Sequence, residues 1–273
     1  MSDTIKSETA FSNEDIVRFL LEETNTTEPP TNAEKIARYL KLTVRGFFHH
    51  EYKLDPKIRA YLHPTRREIG ISRNLSHHRR KFSILHEVGH YVIPGHLDKE
   101  ELDKEDIIVD DDRTLADYSV IKQEMEANQF AADCLFQLAR FSDDVRSQNL
   151  DWNNIKLLSS IYDTSLIACA RRWVEESHKD YALLVFTPTS LRSMSPLRLS
   201  YTITSNSFKQ RYFARIPRIW MKKESRVFQV FHKTGQYADW NAKLSIEIDS
   251  DVQSFDVLLF PTLYGVYGLI DQS

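Results

Sequence analysis

Cysteine is scarce in this sequence: Cys134 and Cys169 are the only two, far apart and each set in an apolar run with helical spacing. That argues against a disulfide framework and leaves both as reduced core residues. No apolar run is long enough to span a bilayer, and "MSDTIKSETAFSNED" has no basic stretch leading into an apolar one, so no secretory signal is expected. Excess charge of one sign is missing too. Against 36 Lys and Arg stand 39 Asp and Glu, a formal net charge of -3 that gives the whole chain no pull towards nucleic acid or membrane. These absences lead to the expectation of a cytoplasmic protein with no membrane partner. What is present agrees: 41% hydrophobic and 27% charged residues over 273 positions, enough for one large or two ordinary globular domains.

Residues 12 to 24 predict a short helix, with Ser12 and Asp15 as a capping box and Ile16, Phe19 and Leu20 on one face. "NTTEPPTN" interrupts it, and Asn32 can cap a second helix carrying Ile36, Ala37 and Leu40. "LTVRGFF" reads as a strand, "RAYLHPTRREIGISRN" as a hairpin, and Ser76 opens a helix that Pro94-Gly95 stops near Ile93. Residues 98 to 112 hold nine acidic residues against two lysines but lack calcium-loop spacing, so a solvated surface loop is expected. A long helix over about 117 to 139 and shorter ones to about 177 follow. Beyond Asp180, "YALLVFT", "RLSYTIT", "RVFQVFH", "LSIEID" and "FDVLLFP" read as short strands. The expected class is α+β, with an N-terminal extension over 1–28, a helix-rich domain over 29–178 and a β-rich domain over 179–273.

The chemistry is concentrated in "HEVGHYVIPGH", residues 86 to 96. Residues four apart share a helix face, so His86 and His90 can offer two imidazole nitrogens to one Zn2+. Glu87 is rotated by about 100° from His86, outside that pair but able to act on a water bound to the ion. Two ligands and one general base is the division of labour of H-E-x-x-H. The third ligand has three candidates. His96 has the count of a metzincin histidine, although Ile93 stands where that pattern has its turning glycine; the alternative for His96 is a surface residue after the helix stop. In "IKQEMEANQFAADCLF", Glu124 projects onto the apolar stripe of Val120, Ala127, Ala131, Cys134 and Leu138, whereas Glu126 falls about 100° away. A carboxylate on a core-facing stripe needs a cation, supplied by the metal or by an arginine such as Arg79 or Arg80. Glu124 is the expected ligand, with Asn128 one turn on as a hydrogen-bond partner for a ligand histidine.

"RRKFSILHEVGHYVI" and "EMEANQFAADCLF" together resemble the ImmA/IrrE family of metallopeptidases, which pairs R-x-x-F-x-x-x-H-E-x-G-H with a downstream E-x-E-A-[ND]-x-F-A helix. "PPTNAEKIARYLKLTVR" and "IGISRNLSHHRRKF" resemble the family's lead-in, so the likeness covers about 29 to 175. It implies a zincin-like peptidase domain with a small sheet, zinc on His86, His90 and Glu124, and Glu87 as the catalytic residue. It further implies a β-rich C-terminal domain, GAF-like in some members, and a regulatory substrate: a helix-turn-helix repressor of the XRE type, cut to release gene expression in a stress or mobile-element response. Two departures are "CLFQ" in place of L-L-M-P and the long acidic insertion after His96. A different class of function is suggested by "LLSSIYDTSLIACARRWVEE", which mimics a DNA-binding helix-turn-helix with Arg171 and Arg172 in its second helix. The competing reading is a helical hairpin packed on the metal domain, with Leu158, Ile161, Leu166 and Trp173 as core; direct nucleic-acid binding is not the expectation.

Overall fold

The computed structural model describes residues 11–52, 55–97, 108–109, 118–190, 195–212, 220–221, 225–232, 239–248 and 251–272. The expected acidic surface loop falls almost wholly outside the described residues. The chain forms two compact units, Met1–Arg140 with Ile161–Asp163, and Phe141–Ser160 with Thr164–Ser273.

In the first unit, α1 (Asn13–Glu23) starts at the expected capping box, where the Ser12 hydroxyl accepts from the Asp15 backbone. Its buried face keeps the expected Leu20 but adds Val17 and Leu21, while Phe19 is exposed and meets Tyr39 edge-on. Asn32 caps α2 (Ala33–Tyr39) through its side chain. A sheet of order β1-β3-β2-β4 follows, built from β1 (Thr43–Phe47), β2 (Ala60–His63), β3 (Glu68–Ser72) and β4 (Ile108–Val109). The β2–β3 hairpin is the one expected around Pro64, and β1 joins β3 in parallel. A four-residue helix, α3 (His49–Tyr52), lies between β1 and β2.

Two helices carry the rest of this unit, α4 (His77–Val92) and α5 (Tyr118–Phe136). The apolar side chains Ile84, Leu85 and Val88 of α4 and Ala127, Phe130, Ala131 and Cys134 of α5 are fully buried. The helices approach most closely at Gly89. A Cβ there would lie 3.2 Å from the Ala127 Cα and 3.1 Å from Phe130 Cδ1, so a side chain would push its neighbours back by a few tenths of an ångström. Helix α5 stops earlier than expected because Gln137 and Leu138 both take left-handed backbone angles, φ 56°. Its end is tied down by Thr31 donating to the Cys134 carbonyl and by Gln137 donating to the Thr26 carbonyl.

The start of α4 is held by charge. Ser76 precedes it without a capping hydrogen bond from its side chain. Asp163 brings its carboxylate to the first turns instead, 2.7 Å from His77 Nε2 and 2.8 Å from Lys81 Nζ. Lys81 also donates to the Asp163 carbonyl, at 3.1 Å. A negative group at a helix N-terminus is further favoured by the helix dipole.

The second unit is a six-stranded antiparallel sheet of order β7-β6-β5-β10-β9-β8. Its strands are β5 (Tyr181–Pro188), β6 (Leu197–Thr204), β7 (Trp220–Met221), β8 (Trp240–Ile248), β9 (Asp251–Thr262) and β10 (Gly265–Asp271). One face buries Ala182, Leu184, Phe255, Val257 and Val266 against Phe208 of α9 (Asn206–Tyr212) and Val227 and Val230 of α10 (Arg226–His232). "RVFQVFH" is therefore a helix and not the expected strand. Val227, Val230 and Phe231 have helical spacing, the Ser225 hydroxyl accepts from the Phe228 backbone, and the short apolar run left the period ambiguous. The opposite face is covered by Trp152, which stacks on Phe260 and Tyr267 and donates to the Leu258 carbonyl. Trp152 begins α7 (Trp152–Ile161), which lies between α6 (Ala139–Arg146) and α8 (Leu166–Glu176). Helix α8 packs on β5 and β6. The helical hairpin that the sequence suggested packing on the metal domain thus has a sheet of its own. Leu158 and Trp173 are buried in it as expected, whereas Ile161 is exposed.

Replacing a mid-helix glycine by alanine ordinarily gains up to about 1 kcal/mol. Because the new methyl would press on backbone, Gly89→Ala is expected to destabilise by about 1–2 kcal/mol instead, and Gly89→Val by more. A thermal melt in which Gly89→Ala raises Tm would contradict the tight crossing. Asp163 yields a pH test. Burial pushes its carboxyl up, but Lys81 and His77 outweigh that and hold it below the ordinary value. A depressed carboxyl stabilises the fold above its unfolded pKa and loses that contribution as pH falls through its folded one. Asp163→Asn should therefore cost about 1 kcal/mol or less at neutral pH, allowing for solvent screening. The gap from wild type should close below about pH 4. Denaturant titrations at pH 7 and pH 3 read both.

Candidate metal centre

The i, i+4 spacing on α4 brings the His86 and His90 rings to 4.7 Å between centroids, and Phe82 one turn earlier stacks against His86. The close crossing at Gly89 carries Glu124 of α5 over this pair. The Nε2 atoms of His86 and His90 are 3.1 Å apart, and each is 3.3 Å from a different oxygen of the Glu124 carboxylate, Oε2 and Oε1 respectively. These are the dimensions of a tetrahedral metal face, since two ligands held at about 2.0–2.1 Å on zinc stand about 3.3–3.4 Å from each other. His86, His90 and Glu124 could hold a metal ion, and they form the one such group among the described residues.

Electrostatics agree with a cation between them. His86 and His90 are buried, and the Glu124 side chain is 25% exposed. Burial pushes the Glu124 carboxyl up, yet the hydrogen bonds and charge of the two imidazoles bring it down to about 2. Glu87, adjacent to His86 in sequence, is completely buried.

Three sequence expectations around the site change. His96 is not a surface residue but 4% exposed. The chain turns back at Pro94-Gly95, where Gly95 takes a left-handed φ of 85°, and Gln123 of α5 donates to the Gly95 carbonyl. This sets His96 Nδ1 3.2 Å from His90 Nδ1, on the side of the ring away from the three converging atoms. His96 Nε2 is 2.9 Å from Glu126 Oε2. The two other candidates for third ligand, His96 and Glu126, thus pair with one another behind His90. Asn128, expected beside a ligand histidine, lies on the exposed side of α5. Arg80, the alternative counter-charge for Glu124, pairs with Glu34 instead, at 3.3 Å. The role of His96 was hidden in the sequence, where the one signal was a histidine soon after a Pro-Gly turn.

Burial pushes the His96 imidazole down, and this prevails over the opposing effect of its hydrogen bond to Glu126. The same hydrogen bond holds the Glu126 carboxyl below its usual range. Both cysteines are free and buried, as expected, with their thiols pushed up by burial. In the helix that the alternative reading assigns to DNA, Arg172 is buried and ion-paired with Glu176, and Arg171 pairs with Glu175 at 2.8 Å.

Comparison with known proteins agrees with this picture. Among curated proteins none matches the chain. A solved Mycobacterium tuberculosis transcriptional regulator shares its fold, with a TM-score of 0.52 at 12% identity over 94% of this chain and 76% of that one. No helix among the described residues is long and apolar enough to cross a membrane. The Peptidase M78 model, the IrrE N-terminal-like domain, matches residues 47–173 and so contains both helices that bear His86, His90 and Glu124. Over those residues the chain is similar to the ImmA/IrrE family of peptidases.

Proposed function

We propose that the protein is a zinc-dependent endopeptidase that cleaves a specific regulatory protein, a helix-turn-helix repressor of the XRE type, and so releases the genes it silences. The observation that carries this reading is the convergence of two imidazole Nε2 atoms and a carboxylate at 3.1 to 3.3 Å, with the wholly buried Glu87 next to His86 in sequence. Zinc bound there would act as a Lewis acid and lower the pKa of a bound water towards about 7. Glu87 serves as general base, taking the proton of the attacking water and delivering it to the leaving amine. His86, His90 and Glu124 orient the ion from rigid helices, which favours a fixed geometry over an adaptable one.

The narrow substrate class rests on the family and on the second unit, a separate body able to recognise or gate. Of the basic run at the start of α4, His77 and Lys81 are engaged by Asp163, which leaves Arg79 as an exposed cation there for steering a charged partner. The competing reading is a DNA-binding or sensor protein whose zinc is structural.

Glu124→Ala is expected to lose zinc when loaded stoichiometrically, whereas His96→Ala still binds it at saturation; the reverse pattern, read by metal analysis, would make His96 the ligand. Glu87→Gln should keep both metal and melting temperature and yet abolish cleavage. The substrate test incubates zinc-loaded protein with the repressor encoded beside it and with casein. One site-specific cut in the repressor, absent with Glu87→Gln, supports the proposal. Digestion of casein with the repressor intact, or sequence-specific DNA binding indifferent to zinc, overturns it.

A further inference from the structure

The proposed chemistry does not use His96 and Glu126, which stand in line behind one metal-site histidine. Glu126 Oε2, His96 Nε2, His96 Nδ1 and His90 Nδ1 follow each other at 2.9 Å, across one ring, and at 3.2 Å. A carboxylate can only accept, so the proton between Glu126 and His96 belongs to His96 Nε2. A neutral His96 then has its lone pair on Nδ1, which obliges His90 to donate from its own Nδ1. The consequence appears on the far side of the His90 ring. With Nδ1 committed to His96, the nitrogen that His90 can offer a metal is Nε2, which lies 3.1 Å from His86 Nε2 and 3.3 Å from the Glu124 carboxylate, to which it can donate when no metal is bound.

We infer that His96 and Glu126 are positioning residues that fix the tautomer and ring orientation of His90, so that its Nε2 is held ready for the metal. The pair is built into the fold. His96 is 4% exposed, its turn is fastened to α5 by Gln123 donating to the Gly95 carbonyl, and Lys122 stands 3.6 Å from the other Glu126 oxygen. Glu126 thus acts through His96, and His96 acts through His90. Hydrogen bonds behind a ligating histidine raise its basicity and usually change metal affinity by about 10–100-fold.

This rests on the zinc-site reading, and the test separates the two. Nitrogen-15 NMR of the metal-free Glu124→Ala protein at about pH 8, where free imidazoles are neutral and no carboxylate draws the proton to Nε2, reads the His90 tautomer directly. That protein should show the proton on Nδ1. His96→Phe, which keeps a ring in the cavity, should move population to the Nε2–H form, and Glu126→Gln should move it less in the same direction. Zinc titration should show affinity weakened about 10–100-fold in His96→Phe. The double variant should be no weaker than His96→Phe, because Glu126 has no other route to the ion. A His90 tautomer unchanged in both variants, or a double variant weakened by the product of the two single effects, overturns the inference. Should His96→Phe fail to fold, Glu126→Gln alone decides it by the same two readouts. If wild type binds no zinc, the peptidase reading falls, and the tautomer measurement still decides this one.

Discussion

The centre depends on how closely two helices can pass. Gly89 sits between the two histidines of α4, and a Cβ there would come within 3.2 Å of the Ala127 backbone. A larger residue at either place would move α5 outward by a few tenths of an ångström or more. The convergence of His86, His90 and Glu124 tolerates little such movement, since its 3.1 to 3.3 Å distances already match the separation of ligands on one ion. Small residues at the crossing therefore set the geometry of large ones beside it.

Around that contact, the unit sets a polar group into an apolar setting. Fully buried Ile84, Leu85, Val88, Phe130 and Ala131 belong to the same two helices as His86, Glu87 and Glu124. Buried polar groups are costly unless paired, and here His86 and His90 converge with Glu124. The imidazoles overcome the burial of Glu124 and keep it anionic. Behind them His96 and Glu126 continue the network away from the centre.

The second unit shows how a sheet distributes its helices. Alternation along β9 and β10 sends Phe255, Val257 and Val266 to one face and Phe260 and Tyr267 to the other. The first face is closed by α9 and α10, the second by Trp152 at the start of α7. The family match ends at 173, inside α8, so it extends from the first compact unit into the second.

Local signals were enough for much of this. The capping box at Ser12, the cap at Asn32, the hairpin at Pro64 and the Pro-Gly stop after α4 all depend on residues within a few positions, so their pattern is legible in one dimension. The same holds for His86 and His90, one helical turn apart, and for Glu124, whose place on an apolar stripe demanded a cation. What the linear pattern could not carry was anything decided between elements. Phe19 shares its helix with buried residues yet faces outward beside Tyr39, because only packing chooses which apolar side chains are covered. "RVFQVFH" suits a strand or a helix until a sheet face is there to receive Val227 and Val230. His96 and Glu126 are 30 positions apart, and only the reversal at Gly95 together with the Gly89 crossing brings them to 2.9 Å. Spacing along one helix selected the residues able to hold a metal, and the approach of a second helix decided which of them meet.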